Sequence, residues 1–197
     1  MEQTCCCQEI MLNYFKLQLA IIFVWVLLFV SNGAFNSFLY DHPYIFIIFL
    51  PAGFKITIAC FFGKRIFIGL FFGSLITALV FLDGALKVYF DNSAVVYALI
   101  SAGSPIFTML LINKVMPLGE HLENLNIQKV LIISLVYSII NTLMHNTYSF
   151  LSGDIALEKY QMDSILMFSG DFLGCLLFLF IVSYFRKGIF VFTNKWF

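Results

Sequence analysis

From Phe49 to Leu82 the chain reads FLPAGFKITIACFFGKRIFIGLFFGSLITALVFL. The run is almost wholly apolar. It nevertheless carries Pro51, the lysine Lys55 well inside it, and four glycines, Gly53, Gly63, Gly69 and Gly73. An α-helix of about 20 apolar residues crosses a hydrocarbon core about 30 Å thick. This run is too long for one crossing, and Gly63-Lys64-Arg65 divides it. It therefore predicts a helical hairpin in a membrane.

The rest of the chain repeats the pattern. Hydrophobic residues make up 61% and charged residues 11% of it, against roughly a quarter charged in soluble domains. A β-barrel needs alternating segments of about 10 residues, which the continuous apolar runs do not provide. The expected fold class is all-α, a polytopic transmembrane helix bundle of about six spans. The spans are placed at Leu17–Ser31, Tyr44–Phe62, Ile66–Leu82, Ala94–Asn113, Val130–Tyr148 and Ile165–Phe185. Residues 1–16 form a short lead, 17–185 the transmembrane domain, and 186–197 a cytoplasmic or interfacial tail. A cleaved signal peptide is the rival reading of the first span.

Charge sets the orientation through the positive-inside rule. An even number of spans puts both termini on one side, with Lys16, Lys64, Arg65, Lys114, Lys129, Arg186, Lys187 and Lys195. The other side keeps Lys87 and Lys159. Both termini are thus expected in the cytoplasm of a multi-pass plasma-membrane protein. No stretch between spans approaches the roughly 50 residues of a small domain.

Polar side chains inside a bilayer need partners, and an ionised group there costs at least about 2.5 kcal/mol. Lys55 lies eight residues before Gly63, about 12 Å inside the cytoplasmic end. Asp171 lies about 9 Å below the outer end of the last span. An ion pair between them is expected, either as a staple or as a pair that opens for a charged ligand or a proton. Asn141 and His145 share a face of the fifth span and join Lys55 and Asp171 as candidate ligand-binding residues. Pro51 removes a backbone donor and predicts a kink or break. With a break, a half-helix starting near Ala52 places Lys55 in its first turn, an anion-site geometry. Kinked packing without a ligand is the other reading. Ser101 and Ser104 flank Pro105 and are expected to satisfy carbonyls freed by it. Gly69 and Gly73, and likewise Gly170 and Gly174, have the small-xxx-small spacing of close helix packing.

Several function classes find no support. Net charge is zero, so no basic footprint for nucleic acid exists. No metal-ligand spacing, nucleophile elbow or phosphate loop occurs, and the chain reads as a non-enzyme without cofactor or metal. Cys5, Cys6 and Cys7 are adjacent, which suits neither a disulfide framework nor a zinc site. With Cys60 and Cys175 they read as free thiols, with lipid attachment the alternative for the first three.

Pro51-Ala52-Gly53, then Gly63-Lys64-Arg65, then Gly69 and Gly73, and finally Gly170-Asp171-Phe172-Leu173-Gly174, together resemble the MASE-type membrane-associated sensor domains, in particular the first-described class. The resemblance covers the hairpin and the last span. It departs at Phe49-Leu50, where the family usually has Trp before the proline, and at Phe67-Ile68, where it often has Trp-Pro. It implies a sensory input module of the bacterial inner membrane, with an unidentified small-molecule ligand and a membrane or cytoplasmic signalling partner for output. A small-molecule transporter, or the substrate-binding subunit of an energy-coupling transporter, is the alternative. A structural assembly protein is a third.

Overall fold

The computed structural model describes residues 2–39, 48–81, 93–118 and 125–193. Within them the chain forms α1 (Glu2–Leu39), α2 (Leu50–Phe62), a 3-10 turn (Gly63–Ile66), α3 (Phe67–Phe81), α4 (Ser93–Val115), α5 (Ile127–Leu151) and α6 (Leu157–Thr193). Among the described residues, five helical segments are long and apolar enough to cross a membrane: Met11–Phe35, Leu50–Val80, Ser93–Val115, Ile127–Leu151 and Leu157–Phe185.

The second segment is folded in two. Asn32 on α1 accepts from the Leu50 amide at the start of α2. Gln18, earlier on α1, donates to the Arg65 carbonyl and accepts from the Gly69 amide. Trp25, between them, donates to Thr77 on α3. So α2 runs against α1 and α3 runs with it. Gly63 makes the reversal at φ 56°, a left-handed backbone that glycine adopts without steric cost. The Gln18 amide then clips the turn to the first turn of α3. The arms have 13 and 15 residues, about 20 and 22 Å of helix.

The remaining helices alternate in direction. Cys60 on α2 meets Met109 on α4, and Lys55 meets Ser101, so α4 runs with α2. Tyr97 pairs with Ser149, and Ser104 with Asn141, so α5 runs against α4. Asn146 pairs with Ser164, and Asn141 with Asp171, so α6 runs against α5. The N-terminal half of α1, the Gly63–Ile66 turn and the C-terminal half of α6 therefore share one end of the bundle. No residue of α2 is exposed. α2 is encased by α1, α4 and α6 and carries Lys55 into the middle.

Several expectations need adjustment. The first span is part of a helix that already begins at Glu2 and takes in the expected lead. The last helix continues into the expected tail, to Thr193. The sequence puts the start of the second span at Tyr44, but the helix starts at Leu50, and residues 44–47 lie outside the described set. Of the expected kink or break, the structure shows Pro51 in the first turn of α2. In the first turn its missing N–H and fixed φ do no harm. α4, by contrast, runs through Pro105 without interruption.

Small residues set the closest approach. The Phe49 amide donates to the Gly170 carbonyl across 3.0 Å. A Cβ on Gly53 would collide with the Gly174 carbonyl oxygen, and one on Gly174 would collide with the Phe49 carbonyl oxygen. Gly69 and Gly73 instead face α1 side chains, Gln18 and Ile21 for the first and Trp25 for the second.

Candidate functional site: a buried polar layer

Lys55 is only 2% exposed. Its ammonium donates to Ser101 Oγ at 3.0 Å and lies 5.1 Å from the centre of the Trp25 ring. Ser74 on α3 donates to the same Ser101 oxygen at 3.0 Å. The Trp25 indole in turn donates to Thr77 Oγ1, 3.2 Å away, and Thr77 donates to the Ser74 carbonyl. A cation over an indole face gains electrostatic attraction, more so when desolvated. Lys55 is thus solvated by one hydroxyl and one aromatic face.

On the other side of the layer, Asp171 is 1% exposed and accepts from Asn141 Nδ2 at 2.7 Å. Asn141 Oδ1 accepts from Ser104 Oγ at 2.6 Å. Ser101 and Ser104 are neighbours on one face of α4, three residues apart. They reach across to α2, α3 and α5. Their hydroxyls thus serve contacts between helices, and the expectation that they mend the backbone around Pro105 does not describe them. All six helices contribute a polar group to this layer.

The expected Lys55–Asp171 ion pair is not formed. Each charge is held by neutral groups: Ser101 and Trp25 for the lysine, Asn141 for the aspartate. An ammonium has three N–H donors, and a carboxylate about four lone-pair positions. Both groups therefore keep unused hydrogen-bonding capacity in a water-poor interior. Among the described residues the Tyr137 hydroxyl, one turn before Asn141, is buried without a hydrogen-bond partner, as are the hydroxyls of Thr57, Ser134 and Thr142.

Among the described residues the His145 side chain makes no hydrogen bond to Lys55, Asn141 or Asp171. It lies one turn beyond Asn141, half-buried, with its ring stacked on Tyr97 at a centroid distance of 5.9 Å and an interplanar angle of 7°. Tyr97 donates to Asp154 Oδ2 at 2.8 Å, and Ser152 donates to the same oxygen. The half-helix anion site expected at Pro51 has its donors occupied: Asn32 takes the Leu50 amide, and the Phe49 carbonyl takes that of Ala52. Among the described residues no cluster of His, Cys, Asp and Glu has the makings of a metal site.

Trp25, Ser74 and Thr77 carry no signal in the sequence that would place them in this layer. A single tryptophan or serine in an apolar run does not reveal which face it occupies. Gln18 stands out in retrospect as an amide inside a span, where a bilayer demands a partner. No family model, curated protein or solved structure matches the chain.

Proposed function

We propose that the chain is a sensor-like, ligand-binding integral membrane module, with the Lys55–Asp171 layer as its responsive centre. The observation that carries this reading is two oppositely ionisable side chains, buried in one layer, that form no ion pair and are each hydrogen-bonded to a neutral side chain. A staple gains most from direct contact, because Coulomb attraction in a medium of low dielectric is what offsets desolvation. Charges out of direct contact leave an interaction for an entering species or a shift of α2 to complete.

The six-span reading with cytoplasmic termini belongs to this proposal. The doubled-back arms of Leu50–Val80 support it, as does the concentration of basic residues at the end that holds Lys64 and Arg65. Kinship with the MASE-type sensor domains is part of the proposal too. It rests on the sequence motifs Pro51-Ala52-Gly53 and Gly170-Asp171-x-x-Gly174. In this reading the module lies in a bacterial inner membrane and works through a signalling partner. Transport is the second reading, favoured by the polar face that α5 keeps from Ser134 to Ser149. Uptake of solute by proteoliposomes would select it.

The test is thermal unfolding in lipid nanodiscs across a panel of small molecules and pH values. Wild type is compared with the double variant Lys55→Met/Asp171→Leu. At least one condition should shift wild type by about 3 °C, roughly 1 kcal/mol for a domain of this size, and leave the variant unmoved. Identical profiles for the two proteins would refute the assignment.

A further inference from the structure

The reading above leaves the ligand of the polar layer open, and the atoms around Asp171 narrow it. Asn141 Nδ2 donates to one carboxylate oxygen, Oδ2. The other, Oδ1, meets no hydrogen-bond donor among the described residues. Lys55 does not fill that gap, and its place on α2 explains why. It lies two residues after Gly53, which rests against Gly174 of α6. Two residues turn a helix by about 200°. Lys55 therefore leaves α2 on the side away from α6, toward Ser101 and Trp25. A buried charge is normally paired or bound to a metal ion, and the Asp171 carboxylate has only an amide.

A second group is left over in the same region. Tyr137 lies one turn before Asn141 on α5, so the two share a face. Its hydroxyl is fully buried and has no hydrogen-bond partner among the described residues. The polar groups around it are Ser104 on α4 and Asp171 and Cys175 on α6. Ser104 Oγ is itself 2.6 Å from Asn141 Oδ1. Burying a hydroxyl without a partner is costly, and phenylalanine would supply nearly the same apolar contact without that cost.

The Asp171 carboxylate, the Asn141 amide oxygen and the hydroxyls of Ser104 and Tyr137 are all oxygens, the ligand type that hard cations prefer. Only one of them carries a negative charge, and Lys55 adds positive charge to the layer, so the balance suits an ion of single charge. Lys55, Ser104, Tyr137, Asn141 and Asp171 are each at most 2% exposed. A large ligand would have to part the helices, whereas a small ion needs only side-chain rotations.

On the reading of this layer as a responsive centre, we propose that it binds a monovalent cation of sodium size between α4, α5 and α6. Asp171 Oδ1 and the Tyr137 hydroxyl are its first ligands. The oxygens of Ser104 and Asn141 turn toward it to fill the shell. The phenol stays protonated and binds through a lone pair, so no proton is released. The ion supplies the direct counter-charge that Asp171 lacks. Lys55, of like charge, is the group in the layer that senses its arrival.

The experiment is thermal unfolding of the full chain in lipid nanodiscs at fixed ionic strength, with sodium chloride replaced stepwise by choline chloride. Choline is too large for the closed layer. Sodium should raise the unfolding temperature of wild type by about 3 °C or more. Tyr137→Phe removes only the unpartnered hydroxyl and should lose at least half of that shift. Asp171→Asn should lose it as well. Circular dichroism checks folding, and Tyr137→Phe decides alone if the asparagine variant does not fold. Equal unfolding temperatures in sodium and choline overturn the proposal. So does a folded variant of either kind that keeps more than half of the shift, which marks a general salt effect. A small molecule that stabilises wild type alone, with no effect of sodium, would remove the cation and leave the ligand-binding reading intact. That reading falls only if no condition separates wild type from Lys55→Met/Asp171→Leu.

Discussion

Asn141 is the residue on which the acidic half of the layer depends. It donates to Asp171 and accepts from Ser104, so its loss strands a buried carboxylate and a buried hydroxyl at once. Hydrogen bonds to charged groups contribute about 1.5–3 kcal/mol. Asn141→Leu should therefore destabilise the protein by roughly that amount in denaturant titration. The same change combined with Asp171→Leu should cost less than the sum of the two, because the stranded charge is gone. Strict additivity would show that the two side chains do not interact. Glycines offer a second contrast at this scale. Gly63→Ala should cost about 1 kcal/mol because of its positive φ. Gly33, in the interior of α1 with open space where a Cβ would go, should gain about 0.5–1 kcal/mol on replacement by alanine. Chemical unfolding of the two variants, compared with wild type, checks both signs.

Among the elements, α2 is the one whose placement was hardest to foresee. Its apolar sequence was legible as part of a hairpin, and so was the Gly63-Lys64-Arg65 turn. Where it starts was not. Pro51 has opposite consequences in the middle and in the first turn of a helix, and only the Asn32 and Gly170 contacts decide between them. The glycine spacings were legible as packing devices, but not their partners, since a small-xxx-small pattern says nothing of what fills the groove. The partners differ in kind. Gly53 and Gly174 meet backbone atoms, whereas Gly69 and Gly73 meet side chains, which yield more readily. Gly53→Ala and Gly174→Ala should thus lower the unfolding temperature clearly more than Gly103→Ala, since Gly103 has nothing near its would-be Cβ. Equal temperatures for the three variants would mean that α2 does not rest on α6 as described. Lys55, Asn141 and Asp171 were legible because a bilayer makes any ionisable or amide group conspicuous. That Lys55 turns to Ser101 and Trp25, and not to Asp171, depends on how α1 and α4 flank α2, and no periodicity in the sequence encodes that.

For the whole molecule, alternating helix directions gather the N-terminal half of α1, the Gly63–Ile66 turn and the start of α5 at one end. The turn after α5, with Asp154, lies at the other. If the arms of Leu50–Val80 both cross the bilayer, single cysteines at Lys64 and Gln128 should react with an impermeant thiol reagent from the cytoplasmic side only. One at Lys159 should react from the opposite side only. Labelling of positions 64 and 159 from the same side would break the six-span arrangement. The larger claim is that the bundle closes around two buried charges that respond, and do not merely hold helices together. The most direct measurement of it is the thermal stability of wild type and Lys55→Met/Asp171→Leu across the same panel of pH values and small molecules. The account predicts a folded double variant that has lost a response wild type shows. A double variant that responds like wild type, or a wild type that responds to nothing, would contradict it.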